Sequence, residues 1–150
     1  MVEAVDFDSP DVQALALAQQ REIVGEFGTG DIGPTRDGSM FVPPDGVFLL
    51  YRDETGAAVA CGGLCRFDET RGELKRMYVL PERRGEGLGR VVLEALEQHA
   101  RELGYAALVL ETGDYLEPAL GLYRSSGYEP IPCYGAYADR DSSVCLEKRL

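Results

Sequence analysis

The chain has a single histidine, His99, and four cysteines, none of them in a CxxC pair. A tetrahedral metal site draws on closely spaced Cys and His ligands, so no metal is expected. No apolar run approaches the roughly 18 residues that read as a membrane span. The start, Met1-Val2-Glu3-Ala4-Val5-Asp6, is acidic, where a secretory leader would be basic and then apolar. Cationic residues are few: 15 Lys and Arg against 26 Asp and Glu leave a net charge of −11. That argues against nonspecific binding to nucleic acid, which needs a basic face to displace counterions from phosphates. It suits cationic partners such as amines, which an acidic surface steers inward. These absences together predict a cytoplasmic protein without metal, membrane or nucleic-acid partners. Its cysteines, Cys61, Cys65, Cys133 and Cys145, are then expected to be buried, reduced thiols.

What is present fits one domain spanning residues 1–150, long enough to bury a core without disulfides or metals. Residues 4–7 predict a short first strand, and Ser9-Pro10-Asp11 a helix start, with Ser as N-cap and Pro at the first helical position. Apolar positions from Val12 to Val24 carry that helix to about Gly25. Residues 28–44, rich in Gly, Pro and Asp, predict a long loop, a length often tied to function. Three strands, 47–52, 57–67 and 73–80, are joined by tight turns and predict an antiparallel meander. A helix over 88–103 shows one apolar stripe (Leu88, Val92, Leu96, Ala100, Leu103), with Gly104 as its cap. The strand at 106–111 is apolar and must return parallel to 73–80 by a right-handed crossover. A short helix at 118–126 and strands at 128–131 and 143–148 complete an α+β fold, a mixed sheet with helices on its faces.

The chemistry concentrates in Arg83-Arg84-Gly85-Glu86-Gly87-Leu88-Gly89-Arg90. Three glycines at alternate positions, directly at a helix start, let a ligand approach free backbone N–H groups at the positive end of the helix dipole. That is an anion site, to which Arg83, Arg84 and Arg90 add charge in an otherwise acidic chain. The alternative is a solvated basic turn. A P-loop would need Gly-Lys-Ser or Gly-Lys-Thr, which is missing. A dinucleotide fingerprint starting at Gly85 would put Arg90 where the third glycine belongs.

Arg84-x-x-Gly87-x-Gly89 resembles the pyrophosphate-binding motif of the GNAT superfamily of acetyl-coenzyme-A-dependent N-acetyltransferases. Glu73-Leu74-Lys75-Arg76-Met77-Tyr78-Val79 resembles that family's fourth strand. Leu122-Tyr123-Arg124-Ser125-Ser126-Gly127-Tyr128 resembles its later Leu-Tyr-x-x-x-Gly-Phe/Tyr signature. The resemblance implies a central mixed sheet of about six to seven strands flanked by about four helices. It also implies acetyl transfer to a primary amine, by direct attack on the thioester through a tetrahedral intermediate.

The resemblance assigns roles by residue. Arg84, Gly85, Glu86, Gly87, Leu88, Gly89 and Arg90 would hold the pyrophosphate of acetyl-coenzyme A, and Met77, Tyr78 and Val79 its pantetheine arm. Met77 and Val79 share strand parity with Glu73 and Lys75, so all four face one side unless a bulge intervenes. Tyr123 would protonate the departing thiolate; read without the signature, it is an ordinary core tyrosine on an amphipathic helix. Leu116 stands where an asparagine often contacts the cofactor. Glu73, which matches the position of a base in some family members, is the preferred general base and Glu111 its rival, and each is also readable as a plain strand-end carboxylate; Cys133 is a weaker candidate nucleophile. Residues 28–44 and 133–139, with Tyr134 and Tyr137, would border the acceptor, expected to be a small cationic molecule. A catalytically silent acetyl-coenzyme-A sensor and a protein lysine or N-terminal acetyltransferase are the alternatives. Monomer and homodimer are both open.

Overall fold

In the computed structural model, which describes residues 1–27, 38–114 and 116–150, seven strands form one sheet in the order β1-β2-β3-β4-β5-β7-β6. The strands are β1 (Val2–Ala4), β2 (Val47–Arg52), β3 (Ala58–Arg66), β4 (Arg71–Val79), β5 (Ala107–Gly113), β6 (Glu129–Ile131) and β7 (Ser143–Arg149). Three α-helices lie among the described residues: α1 (Pro10–Phe27), α2 (Leu88–Glu102) and α3 (Glu117–Ser125).

Alternation along the strands explains the layering. In β2, Val47 and Leu49 join the core under α2 and α3, while Phe48 and Leu50 join a second core under α1. Both faces are covered, which is why β2 reads as an unbroken apolar run rather than an alternating one. The α2 stripe of Val92, Leu96 and Ala100 is fully buried, each large side chain contributing about 1.5–3 kcal/mol. Mid-strand glycines in β3 are forced by close packing. A Cβ on Gly62 would stand 2.8 Å from Leu96, and one on Gly63 would stand 2.6 Å from the Phe41 ring.

Two features of β4 position the site. It pairs with β5 in parallel over three residues only, from Arg71↔Ala107 to Glu73↔Val109, after which the strands part. It also carries a bulge: the register against β3 shifts between Cys61 and Gly63, and Arg76 adopts φ 61°. The Cys61 thiol donates to the Arg76 carbonyl there at 3.4 Å. The extra residue resets the parity. Met77 and Val79 pack toward α2, whereas Glu73 stands beside Cys65 on the α1 face.

Two expectations need correction. The first strand is Val2–Ala4, not 4–7, because Asp6 makes a turn, accepting from the Asp8 amide at 2.9 Å and the Ser9 amide at 3.0 Å. Phe7 thereby enters the α1-side core against Phe41 and Phe48. Nor are all four cysteines thiols: Cys133 and Cys145 form a disulfide, while Cys61 and Cys65 are buried and keep their thiols. The pairing of Ile131 with Cys145 in the β6–β7 ladder delivers Cys133 to its partner, a proximity that a spacing of twelve residues does not announce. Cys133 therefore has no thiol to act as a nucleophile. No helix among the described residues is long and apolar enough to cross a membrane.

Candidate active site

The glycine segment folds as expected at the head of α2. Gly85 and Gly87 take φ 83° and 82°, and Gly87 is the α2 N-cap with no side-chain cap. Side chains rarely adopt that backbone, so glycine is required at both positions. A Cβ at either would meet nothing within 4 Å, so the loop opens to its surroundings and the first-turn amides of α2 are presented outward. Gly89 differs: its Cβ would stand 3.2 Å from Leu122, so it lets α3 pack close.

A cavity of about 650 Å³ lies against this loop, lined by residues of α1, the end of β4, the head of α2 and α3. Met77, Tyr78, Val79, Arg84, Gly85, Gly87, Leu88, Gly89 and Arg90 all line it. Glu86 instead turns to Arg83, which donates to it at 3.0 and 3.1 Å. Leu116, an apolar residue, and Tyr123 also line it. Tyr123 is 5% exposed, its ring edge-on to Tyr128, and burial pushes its hydroxyl pKa well up. A hydroxyl kept protonated at neutral pH can donate to a leaving group.

The arginines are engaged in ways the sequence does not disclose. Arg84 grips Glu22 of α1 through two bonds of 2.9 Å and donates to the Val79 carbonyl at 3.0 Å. The Tyr78 hydroxyl donates to the same glutamate at 2.8 Å. The Arg84 bonds hold the Glu22 carboxyl below its ordinary pKa. Arg83 bonds Asp53 at 2.7 Å. Arg90 donates to the Ser125 and Ser126 hydroxyls at 2.7 and 3.0 Å, both of them neutral partners. Gln19 of α1 donates to the Met77 carbonyl at 3.1 Å. The Gln19–Met77, Glu22–Tyr78 and Glu22–Arg84 contacts join residues 56 to 62 positions apart and leave no local signal.

Beyond the cavity, on the α1 face of the sheet, lie the two glutamates. Glu73 is 9% exposed and well supplied with donors. Tyr134 donates to Oε2 at 3.1 Å, Lys75 stands 3.6 Å from the same oxygen, and the Cys65 thiol is 3.9 Å from Oε1. Glu111 accepts from the Ser143 hydroxyl at 2.7 Å. Burial raises its pKa; Ser143, Arg140 and Lys75 pull the other way, and Glu73 adds to the rise. Tyr134 and Tyr137, singled out from the sequence, are part of this cluster, and Tyr137 lies 3.4 Å from Lys75 Nζ. Of the loop expected over 28–44, residues 38–41 form a 3₁₀ turn that seats Phe41 in the core, and 28–37 lie outside the described residues.

A cavity lined by the open glycine loop at the head of α2 and by the edge of β4 suits a long phosphorylated thioester, the demand of a coenzyme-A-dependent acyltransferase. The profile of the Acetyltransferase (GNAT) family matches residues 12–128, and the chain belongs to that family. The IAA acetyltransferase of Azospirillum brasilense is 37% identical over 127 residues, covering 81% of this chain and 82% of that protein. The N-acetyltransferase YjgM of Escherichia coli is 40% identical over 123 residues, covering 74% and 72%. A solved acyl-CoA N-acyltransferase from Klebsiella pneumoniae superposes with TM-score 0.82 at 31% identity over 100% of this chain and 97% of that one. A GNAT acetyltransferase from Elizabethkingia anophelis, solved with acetyl-CoA bound, shares the fold at TM-score 0.71 and 18% identity, covering 100% and 97%. The protein is an N-acetyltransferase-family enzyme, and the acetyl donor of that family is acetyl-coenzyme A.

Proposed function

We propose that residues 1–150 act as one catalytic domain that transfers acetyl from acetyl-coenzyme A to the primary amine of a small molecule by direct attack. The observation that carries this reading is the parting of β4 and β5, with Tyr123 in the cavity lining and Glu111 on the opposite face of the sheet. The open amides at residues 85–90 and the charge of Arg90 would take the pyrophosphate. The β4 edge near Met77 and Val79 would take the pantetheine arm.

Glu111 is the better base of the two. Its pKa is raised toward the useful range by burial, and one hydroxyl bonds it. Glu73 is already bound by Tyr134 and Lys75, and we read it as a residue that positions that loop. In the reaction a C–N bond forms and the C–S bond breaks. One ammonium proton passes to Glu111 and on to solvent. The sulfur leaves with the Tyr123 proton, which the second nitrogen proton replaces.

Thiol release with a panel of primary amines tests the reading. Turnover should be detected with at least one amine, and Tyr123→Phe should lower it about 10²-fold while cofactor affinity holds. Tight cofactor binding without turnover on any amine would instead favour a sensor.

A further inference from the structure

The register of β4 against β5 stops one step short of an opposite-charge pair. Glu73 is level with Val109; two residues on, on the same face of each strand, Lys75 would stand opposite Glu111. The strands have parted by then, and the two side chains are held separately. Lys75 Nζ lies 3.4 Å from the Tyr137 hydroxyl and 3.6 Å from Glu73, while Glu111 takes the Ser143 hydroxyl at 2.7 Å. Their register places them on either side of the parting, so a ligand entering there lies between both.

The Lys75 side chain is 20% exposed, and Glu73 stands 3.6 Å from its Nζ, longer than a hydrogen bond. A lysine so placed disfavours an incoming ammonium and can still donate to an incoming carboxylate. Given the reading of Glu111 as base, we infer that the acceptor is an amino acid: a primary amine with a carboxylate a few bonds from its nitrogen. The ammonium goes to Glu111 on β5 and the carboxylate to Lys75 on β4. The net charge of −11 acts at long range, whereas this pair sorts ligands at contact.

The test compares matched acceptors with acetyl-coenzyme A: phenylalanine, phenylalaninamide and phenethylamine, then the corresponding leucine set. The readout is thiol release, expressed as kcat/KM corrected to the unprotonated amine. Within a set, the carboxylate-bearing acceptor should lead by about tenfold or more, the usual size of a charge-assisted hydrogen bond. The lead should fall to near parity in Lys75→Met and invert in Lys75→Glu, with Lys75→Gln as a milder variant. Cofactor affinity in each variant reports whether the fold survives. Equal or better use of phenethylamine by the wild-type enzyme would overturn the inference and leave acetyl transfer standing. An undiminished lead in folded Lys75→Met and Lys75→Gln would overturn it as well. Cofactor binding with no thiol release from any acceptor would sink the acetyl-transfer reading, and this inference with it.

Discussion

The proposed cofactor groove and the proposed acceptor face are built on different principles. The groove is made of backbone: glycines at positive φ, the head of α2 and the bulged edge of β4. Its chemistry comes from conformations written in a run of eight residues. The acceptor face is made of side chains from β4, β5, β7 and the loop before β7, gathered from positions up to 70 residues apart. A site that must hold one invariant ligand can be set in backbone, whereas selection of an acceptor is left to side chains that are easily exchanged. Damage to the two regions should therefore separate: one set of changes moves cofactor affinity, the other moves turnover and acceptor KM.

The largest expected effect is on the groove. Gly87→Val puts a β-branched residue at φ 82° with its side chain in open space where the ligand arrives. Affinity for acetyl-coenzyme A, measured calorimetrically, should fall about 10²-fold, with a smaller loss of stability. Unchanged affinity in the folded variant would break the comparison at its firmest point.

A smaller effect tests the other region. The disulfide between Cys133 and Cys145 pins the loop carrying Tyr134, which bonds Glu73. Closing a loop of 12 residues is worth about 3 kcal/mol in the chain-entropy account. Reduction, or Cys133→Ser, should lower the melting temperature accordingly and raise acceptor KM several-fold while cofactor affinity holds. A matching loss of cofactor affinity would show that the two regions are not independent.

The smallest effect sharpens the account of charge. Glu22 neutralises Arg84 through two hydrogen bonds at the rim of the groove. Glu22→Gln should leave Arg84 more charge for phosphate and tighten cofactor binding by a few-fold, more at low salt. Weaker binding would mean that Glu22 acts mainly to hold Arg84 in place.

This contrast also explains what the sequence makes legible. β2 falls at 47–52 as predicted, and α2 starts at Leu88, because apolar periodicity and glycine punctuation are local signals. The glycine loop is legible for the same reason. The first strand is misplaced because Val5 and Phe7 look like strand residues, yet the Asp6 turn sends Phe7 into the core. The bulge at Arg76 leaves no mark in composition, though the same-face conflict among Glu73, Lys75, Met77 and Val79 demands one. The Glu22–Arg84 pair, the Tyr134–Glu73 bond and the disulfide depend on tertiary proximity alone.

The pH dependence of turnover for wild type and Glu111→Gln, at saturating acetyl-coenzyme A, tests the central division of labour most directly. Glu111 faces Lys75 and Glu73 from β4, Ser143 from β7 and Arg140 from the loop before it. Burial raises its pKa despite the cations, and a base works only when deprotonated, so activity should rise with pH through a limb above the ordinary carboxylate range. Glu111→Gln should lower turnover about 10²-fold or more, shift the limb to the pKa of the amine itself, and leave cofactor affinity unchanged. Full turnover with an unmoved limb in Glu111→Gln would contradict the assignment of the base to the acceptor face.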